Sequence, residues 1–220
     1  MVRDARDKYP QLELNRVIQM VTEHVVQFFD DAESLATNVG AFLAQGLAAG
    51  NRLLVVAKPL NWQAVADHLR DCGHDVATAL ERRRLVVLDA SEALAGFMRK
   101  GSPDPIAFEE SIGDRVRRMR ADPENRLRIY GEMVEILAAE GNYCGAHELE
   151  QLWNELGHRE SFTLLCGYST AHFAAIRAGS ALRDICDAHS HVEIAPEDAL
   201  AAFLVSRARQ AAAPRKLKRQ

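Results

Sequence analysis

Residues 24–57 read HVVQFF, then DDAESLATNVGAFLAQGLAAG, then N and RLLVVA. The first six are β-branched and aromatic with no polar alternation, the signature of a strand covered on both faces. From Asp30 the period changes. Leu35, Val39, Phe42, Leu43 and Gly46 fall on one helical stripe, and Gly50 supplies a stop. Arg52–Ala57 is again a short apolar run, ended by Pro59. A buried strand, a crossing helix and a second buried strand make one βαβ unit. Such units build a parallel sheet covered by helices.

The same alternation continues outward. Asn61 is expected to cap a helix carrying Trp62, Val65, Ala66 and Leu69. Leu85–Leu88 reads as a third strand closed by Asp89, and Ile106–Ala121 as a helix stopped by Asp122–Pro123. Leu127–Tyr130 and Ser161–Gly167 are the fourth and fifth strands. The pattern predicts a three-layer α/β domain with a mainly parallel central sheet flanked by helices. Pro10–Met20 reads as a short helix and Pro196–Arg207 as a tail helix, followed by the basic Arg215, Lys216, Lys218 and Arg219. The expected division is an N-terminal helical extension over 1–23, a core domain over 24–195, and a helix with a basic tail over 196–220.

Bulk properties narrow the function classes. The 220 residues are 48% hydrophobic and 26% charged, ordinary for a globular protein. A net charge of -4 and a pI near 6.1 give no electrostatic drive toward nucleic acid or anionic membrane. The charged N-terminus lacks an apolar signal segment, and no apolar run is long enough to span a bilayer. Cys72, Cys144, Cys166 and Cys186 show no paired spacing, so reduced thiols and a cytoplasmic location are expected.

Ligands of an open α/β sheet sit beyond the carboxyl ends of its strands. That rule nominates the Phe29–Ala32 loop, Lys58, Asp89, Gly131–Glu132 and Tyr168–Ser169. A phosphate-binding loop would place glycines and a lysine at the first of these. The junction instead reads FFDDAESL, and Asp30, Asp31 and Glu33 oppose an anion at the helix N-terminus. Asp30 with Glu33 is expected to form a capping box there. Glu132, just after a buried strand, is where an NTPase holds Mg²⁺ or orients water. Without a phosphate cradle, a non-catalytic anchor for a ligand or switch fits it better.

Two other groupings carry chemistry. Cys186, His189 and His191 form a C-x2-H-x-H cluster, but zinc needs four ligands and only a distant cysteine could complete the set. The simpler expectation is histidines bonded to backbone at a helix C-terminus. Cys166, with His172 nearby, has no orienting third group for a nucleophile and reads as a buried thiol. Tyr143, Ala146, Leu149, Trp153 and Leu156 form a core-facing helical stripe.

Several blocks, in order, resemble one family: HVVQFFDDAESLATNVGAFLAQGLAAGNRLLVVA, RLRIYGEMVEILAAEGNY, HELEQLWNEL, FTLLCGYS and ICDAHSHV, from His24 to Val192. They look like the MEDS domain, the methanogen/methylotroph sensory domain. The most specific pieces are GEM at 131–133, CGYS at 166–169 and HSH at 189–191. The resemblance implies a RecA/KaiC-type fold that has lost its phosphate loop, in regulators of one-carbon and halomethane metabolism. Lys58–Pro59 stands where the ancestral ATPases place paired glutamates. Family members are usually fused to a helix-turn-helix or a histidine kinase. Here Met1–Glu23 and Glu193–Gln220 carry no such pattern, so output is expected through a signalling or transcription partner, or through a homodimer. The combined expectation is a non-catalytic sensor needing no cofactor. Its small ligand would lie at the carboxyl edge of the sheet against Phe29, Asp30, Glu132, Cys166 and Tyr168, with His24, His189 and His191 as accessories. A nucleotide switch with Glu132 on Mg²⁺ and a pure protein-interaction module are the alternatives.

Overall fold

A computed structural model describes residues 23–121, 126–173, 179–194 and 205–206. The expected helices over 10–20 and 196–207, the basic tail and the Asp122–Pro123 stop lie wholly or largely outside the described residues. Six strands form one sheet in the order β3-β2-β6-β7-β1-β8, every pairing parallel. They are β1 (Glu23–Phe29), β2 (Arg52–Ala57), β3 (Leu85–Asp89), β6 (Leu127–Gly131), β7 (Thr163–Ser169) and β8 (His191–Ile194). The two-residue strands β4 (Met98–Arg99) and β5 (Ser102–Pro103) form a separate hairpin.

Helices cover both faces. On one side α1 (Ala32–Ala48), α2 (Pro59–Asp71) and α3 (Val76–Glu81) bury Leu35, Val39, Leu43, Val65 and Leu69 against Val25, Leu53, Val55 and Tyr130. On the other lie α4 (Ala90–Phe97), α5 (Pro105–Phe108), α6 (Asp114–Arg120), α7 (Met133–Ala139), α8 (Tyr143–Glu160) and α9 (Gly179–Ala188). Their core includes Phe97, Phe108, Trp153 and Ile185 over Val26, Phe28, Leu54, Ile129 and Leu164. No helix among the described residues is long and apolar enough to cross a membrane.

The expected strands and central layering hold, with local corrections. Asp31, not Asp30 with Glu33, caps α1: its extended backbone lets the carboxylate accept from Ser34 N at 2.8 Å. Pro59 starts α2 two residues before Asn61, because proline suits a first helical position and Lys58 is extended. Asn61 is therefore inside the helix and free to reach across to β6. The helix expected over 106–121 begins at Pro105 and is interrupted by a π-helical stretch at Glu109–Gly113. β7 starts at Thr163 rather than 161, since Ser161 adopts a positive φ of 47°. The helices α3 and α4 and the edge strand β8 are additions; each is too short to show a period in sequence.

Crossovers from β1 and β2 use one face of the sheet, and those from β3, β6 and β7 use the other. The direction therefore changes between β3 and β2, between β2 and β6, and again between β7 and β1. Such gaps are where side chains and ligands gather in these sheets.

Candidate functional site

Two polar centres are built on this frame. The first lies at the carboxyl edge, at the β2/β6 gap. Glu132 follows β6 and is fully buried. It stands at the N-cap of α7, but its side chain makes no capping hydrogen bond. Its Oε2 instead accepts from the Lys58 backbone N–H at 2.9 Å and from Asn61 Nδ2 at 3.1 Å, while Oε1 accepts from the Tyr130 hydroxyl at 2.9 Å. Burial pushes its carboxyl above the usual range although these bonds and the Lys58 charge favour the anion. One turn on, Glu135 Oε2 accepts from Ser169 N at 2.9 Å, and Oε1 lies 2.9 Å from His172 Nε2 and 3.7 Å from Lys58 Nζ. Neither Glu135 nor His172 stood out as a ligand-site residue in the sequence. At the β1/β7 gap, Thr170 Oγ1 donates to Asp30 Oδ1 at 2.6 Å, and Asp30 is exposed.

Gly167 explains part of the CGYS block. A Cβ there would stand 2.8 Å from the Tyr130 hydroxyl and 3.2 Å from its ring, and Tyr130 is fully buried and cannot swing away. Gly167→Ala is expected to cost about 1–3 kcal/mol by overpacking, read as a lower urea midpoint. Wild-type stability in that variant would show that Tyr130 is not held as described.

The second centre is deeper, under α8 and α9. Residues 24, 26 and 28 of β1 and 164, 166 and 168 of β7 face the same side, so the strand alternation aims His24, Cys166 and Tyr168 together. Glu150 drops onto them from α8, on the stripe that also carries Ala146, Leu149 and Trp153. His189 arrives from the end of α9. The Glu150 carboxylate accepts from the Tyr168 hydroxyl at 2.7 Å on Oε1 and from the Cys166 thiol at 3.4 Å on Oε2. His24 Nε2 lies 3.1 Å from Glu150 Oε2 and 3.3 Å from Cys166 Sγ, and His189 Nε2 lies 3.4 Å from Glu150 Oε1.

Burial alone would raise the Glu150 carboxyl, whereas positive charge on His189 or His24, and the Tyr168 hydroxyl, pull it below its usual range. Burial also pushes the His189 imidazole below its ordinary range, against the pull of Glu150. The two directions oppose each other, since an ionised Glu150 gains from a cation that burial denies His189. The ionised carboxylate is the firmer of the two, because each of its oxygens accepts a hydrogen bond. Burial, then the Glu150 charge, pushes the Cys166 thiol and the Tyr168 phenol well upward. Cys166 is thus a protonated thiol in this setting and a poor nucleophile.

Of the residues expected in one site, His24, Cys166, Tyr168 and His189 meet at the deep centre. Glu132 stands at the edge centre and Asp30 at the neighbouring gap. Phe29 packs in the core of the opposite face, and His191 is an exposed residue of β8. His189 bonds the Ile185 carbonyl at 2.6 Å, as expected of a helix-end histidine. Glu150 is the residue that sequence reading missed. Its signal was a lone carboxylate on an otherwise apolar helical stripe. A surface groove of about 450 Å³ lies elsewhere, over Ile106, Phe108, Leu152 and Arg159.

Fold and sites together define a helix-covered parallel α/β domain with two buried polar centres and an acidic, glycine-free first junction. Residues 23–190 match the family described as MEDS, the methanogen/methylotroph, DcmR sensory domain, and the chain belongs to that family of sensory domains. No curated protein matches the chain.

Proposed function

We propose that this sensory domain is non-catalytic, binds a small metabolite at the carboxyl edge of its sheet, and passes its state to a signalling or transcription partner. The observation that carries this reading is the β2/β6 gap. There Lys58 (side chain 37% exposed) and His172 (27% exposed) both face the buried Glu135, beside the buried Glu132. Two reachable cationic or hydrogen-bonding groups over buried carboxylates offer a ligand something to rearrange. A ligand that prefers one arrangement shifts the population of that state. The ligand class is the one-carbon compounds that the family resemblance implies. The parallel sheet supports descent from a RecA/KaiC-type core, and Asp30, Asp31 and Glu33 where phosphates would sit support the loss of its phosphate loop.

Thermal unfolding tests the proposal. At no more than about 1.5 kcal/mol per heavy atom, a ligand of three such atoms (formate, dichloromethane) reaches a Kd of roughly 1 mM and one of two (methanol, methylamine) roughly 10 mM. Methanol, formate, methylamine and dichloromethane are therefore tried at about 100 mM. A specific binder at a hundredfold its Kd adds about 2.7 kcal/mol and raises the midpoint by roughly 5–11 °C. The rise is expected with one of these compounds and is expected to vanish in Lys58→Met. Mg-ATP is expected to give no shift. A shift with Mg-ATP instead transfers the edge to a nucleotide switch, and no response to any compound overturns the sensing reading.

A further inference from the structure

The deep centre has too few protons for its acceptors. Asn154 Nδ2 donates to the Ala188 carbonyl at 2.9 Å, so its Oδ1, 2.9 Å from His24 Nδ1, can only accept. His24 therefore carries its proton on Nδ1. His189 Nδ1 faces the Ile185 carbonyl at 2.6 Å and is protonated for the same reason. In the neutral rings both Nε2 atoms then turn lone pairs inward, toward a carboxylate that is itself an acceptor. Among the described residues the donors pointing in are the Tyr168 hydroxyl, which Glu150 takes, and the Cys166 thiol, whose one proton lies 3.4 Å from Glu150 Oε2 and 3.3 Å from His24 Nε2, measured from Sγ, and can serve one of them. His189 Nε2 is buried with no hydrogen-bond partner among the described residues, and its side chain is 0% exposed. Lone pairs converging in a dry interior call for a positive charge between them.

We propose that His24, Glu150, Cys166 and His189 bind one divalent transition-metal ion of the zinc class. Their four ligand atoms all lie within 4.8 Å of one another, on side chains that are at most 4% exposed for His24 and 0% for Glu150 and His189. Tetrahedral zinc, with bonds of about 2.0–2.3 Å, sets neighbouring ligand atoms about 3.3–3.7 Å apart. His24 Nε2, Cys166 Sγ and Glu150 Oε2 lie 3.1, 3.3 and 3.4 Å apart and already match. His189 Nε2, 3.4 Å from Glu150 Oε1 and within the same 4.8 Å, needs to move inward by about 1 Å or less. Carbonyl and amide oxygens behind the imidazoles, and the Tyr168 hydroxyl behind the carboxylate, are the outer partners that orient metal ligands. Two nitrogens, one sulfur and one oxygen suit zinc, cobalt(II) or iron(II) rather than calcium or magnesium. Loading balances charge. The Cys166 thiol releases one proton to solvent, and M²⁺ meets one thiolate, one carboxylate and two neutral imidazoles, leaving the centre uncharged. The set differs from the Cys186-His189-His191 spacing in sequence: only His189 is shared, because β1, β7 and α8 supply the others.

The site is independent of the carboxyl-edge proposal, so either can fail alone. The test is Co²⁺ added to the chelator-treated full chain during refolding, followed by absorption and by metal content after desalting. One ion per chain is expected, with the visible bands of four-coordinate cobalt and a thiolate-to-cobalt charge-transfer band. Cys166→Ser is expected to abolish that charge-transfer band and to weaken binding at least a hundredfold. Cys72 Sγ lies 3.6 Å from His68 Nε2 on the surface, an adventitious alternative. The double variant Cys72→Ser/Cys144→Ser is expected to bind as wild type. Loss of cobalt in that variant, or an unchanged spectrum in Cys166→Ser, overturns the assignment. Should Cys166→Ser fail to fold, wild type decides alone. No bound ion, or cobalt bands without thiolate character, equally overturns it.

Discussion

Glu150→Ala is expected to lower the stability of the metal-stripped protein by about 3–5 kcal/mol, roughly 6–20 °C in thermal midpoint. Glu150 is fully buried, and its carboxylate accepts from Tyr168 and Cys166 while facing both histidines. Its removal leaves the fully buried Tyr168 hydroxyl without an acceptor and opens a cavity between α8 and the sheet. Glu150→Gln separates charge from shape. Its carbonyl can take the Tyr168 proton while its amide donates to the His24 lone pair, so less than half the loss is expected. Unfolding in the presence of chelator reads both variants. An alanine variant within about 1 kcal/mol of wild type would mean that the centre is not a closed network.

The layered fold was legible because each core strand is a short apolar run between turn residues, and a parallel sheet buried on both faces leaves no other pattern. What escaped were elements held by neighbours rather than by their own period. β8 has four residues and exists because Val25–Phe28 offers it a ladder. The π-helical stretch at Glu109–Gly113 is tied by ion pairs from Arg117 and Arg159 to Glu109, which no local rule reveals. The centres were legible in residue type and not in grouping. Cys166 and Tyr168 were nominated for lying near the end of β7. Yet alternation turns them inward to α8, toward a glutamate 16 and 18 residues away in sequence. Pairing His24 with His189 needs the parallel register of β1 against β7 and β8, fixed by the whole sheet.

At the edge, the variants of Glu132 are expected to diverge with pH. Glu132→Ala leaves the Lys58 N–H, Asn61 and the Tyr130 hydroxyl without their acceptor. Lys58 and Asn61 can turn to water, whereas Tyr130 is fully buried, so a loss of about 2–4 kcal/mol is expected. Glu132→Gln keeps an acceptor for Lys58 and Asn61 and can donate to the Tyr130 oxygen, so only the proton of that hydroxyl loses its acceptor and the cost is smaller than that of alanine. Burial raises the folded carboxyl of Glu132 above its unfolded value of about 4.5. Above that unfolded value the native state holds a proton that the unfolded chain has lost. The stability this confers is complete below pH 4.5 and is lost as pH rises through the folded value. Glutamine has no such proton. The stability of wild type minus that of Glu132→Gln is therefore expected to fall as pH rises from about 4.5 and then level off. Urea unfolding of both proteins between about pH 4.5 and 7.5 measures that difference. A gap that stays constant, or that widens in favour of wild type, would mean the Lys58 charge and the three hydrogen bonds outweigh burial. Glu132 would then be a fixed anion of the scaffold rather than a carboxyl poised to change with what occupies the edge.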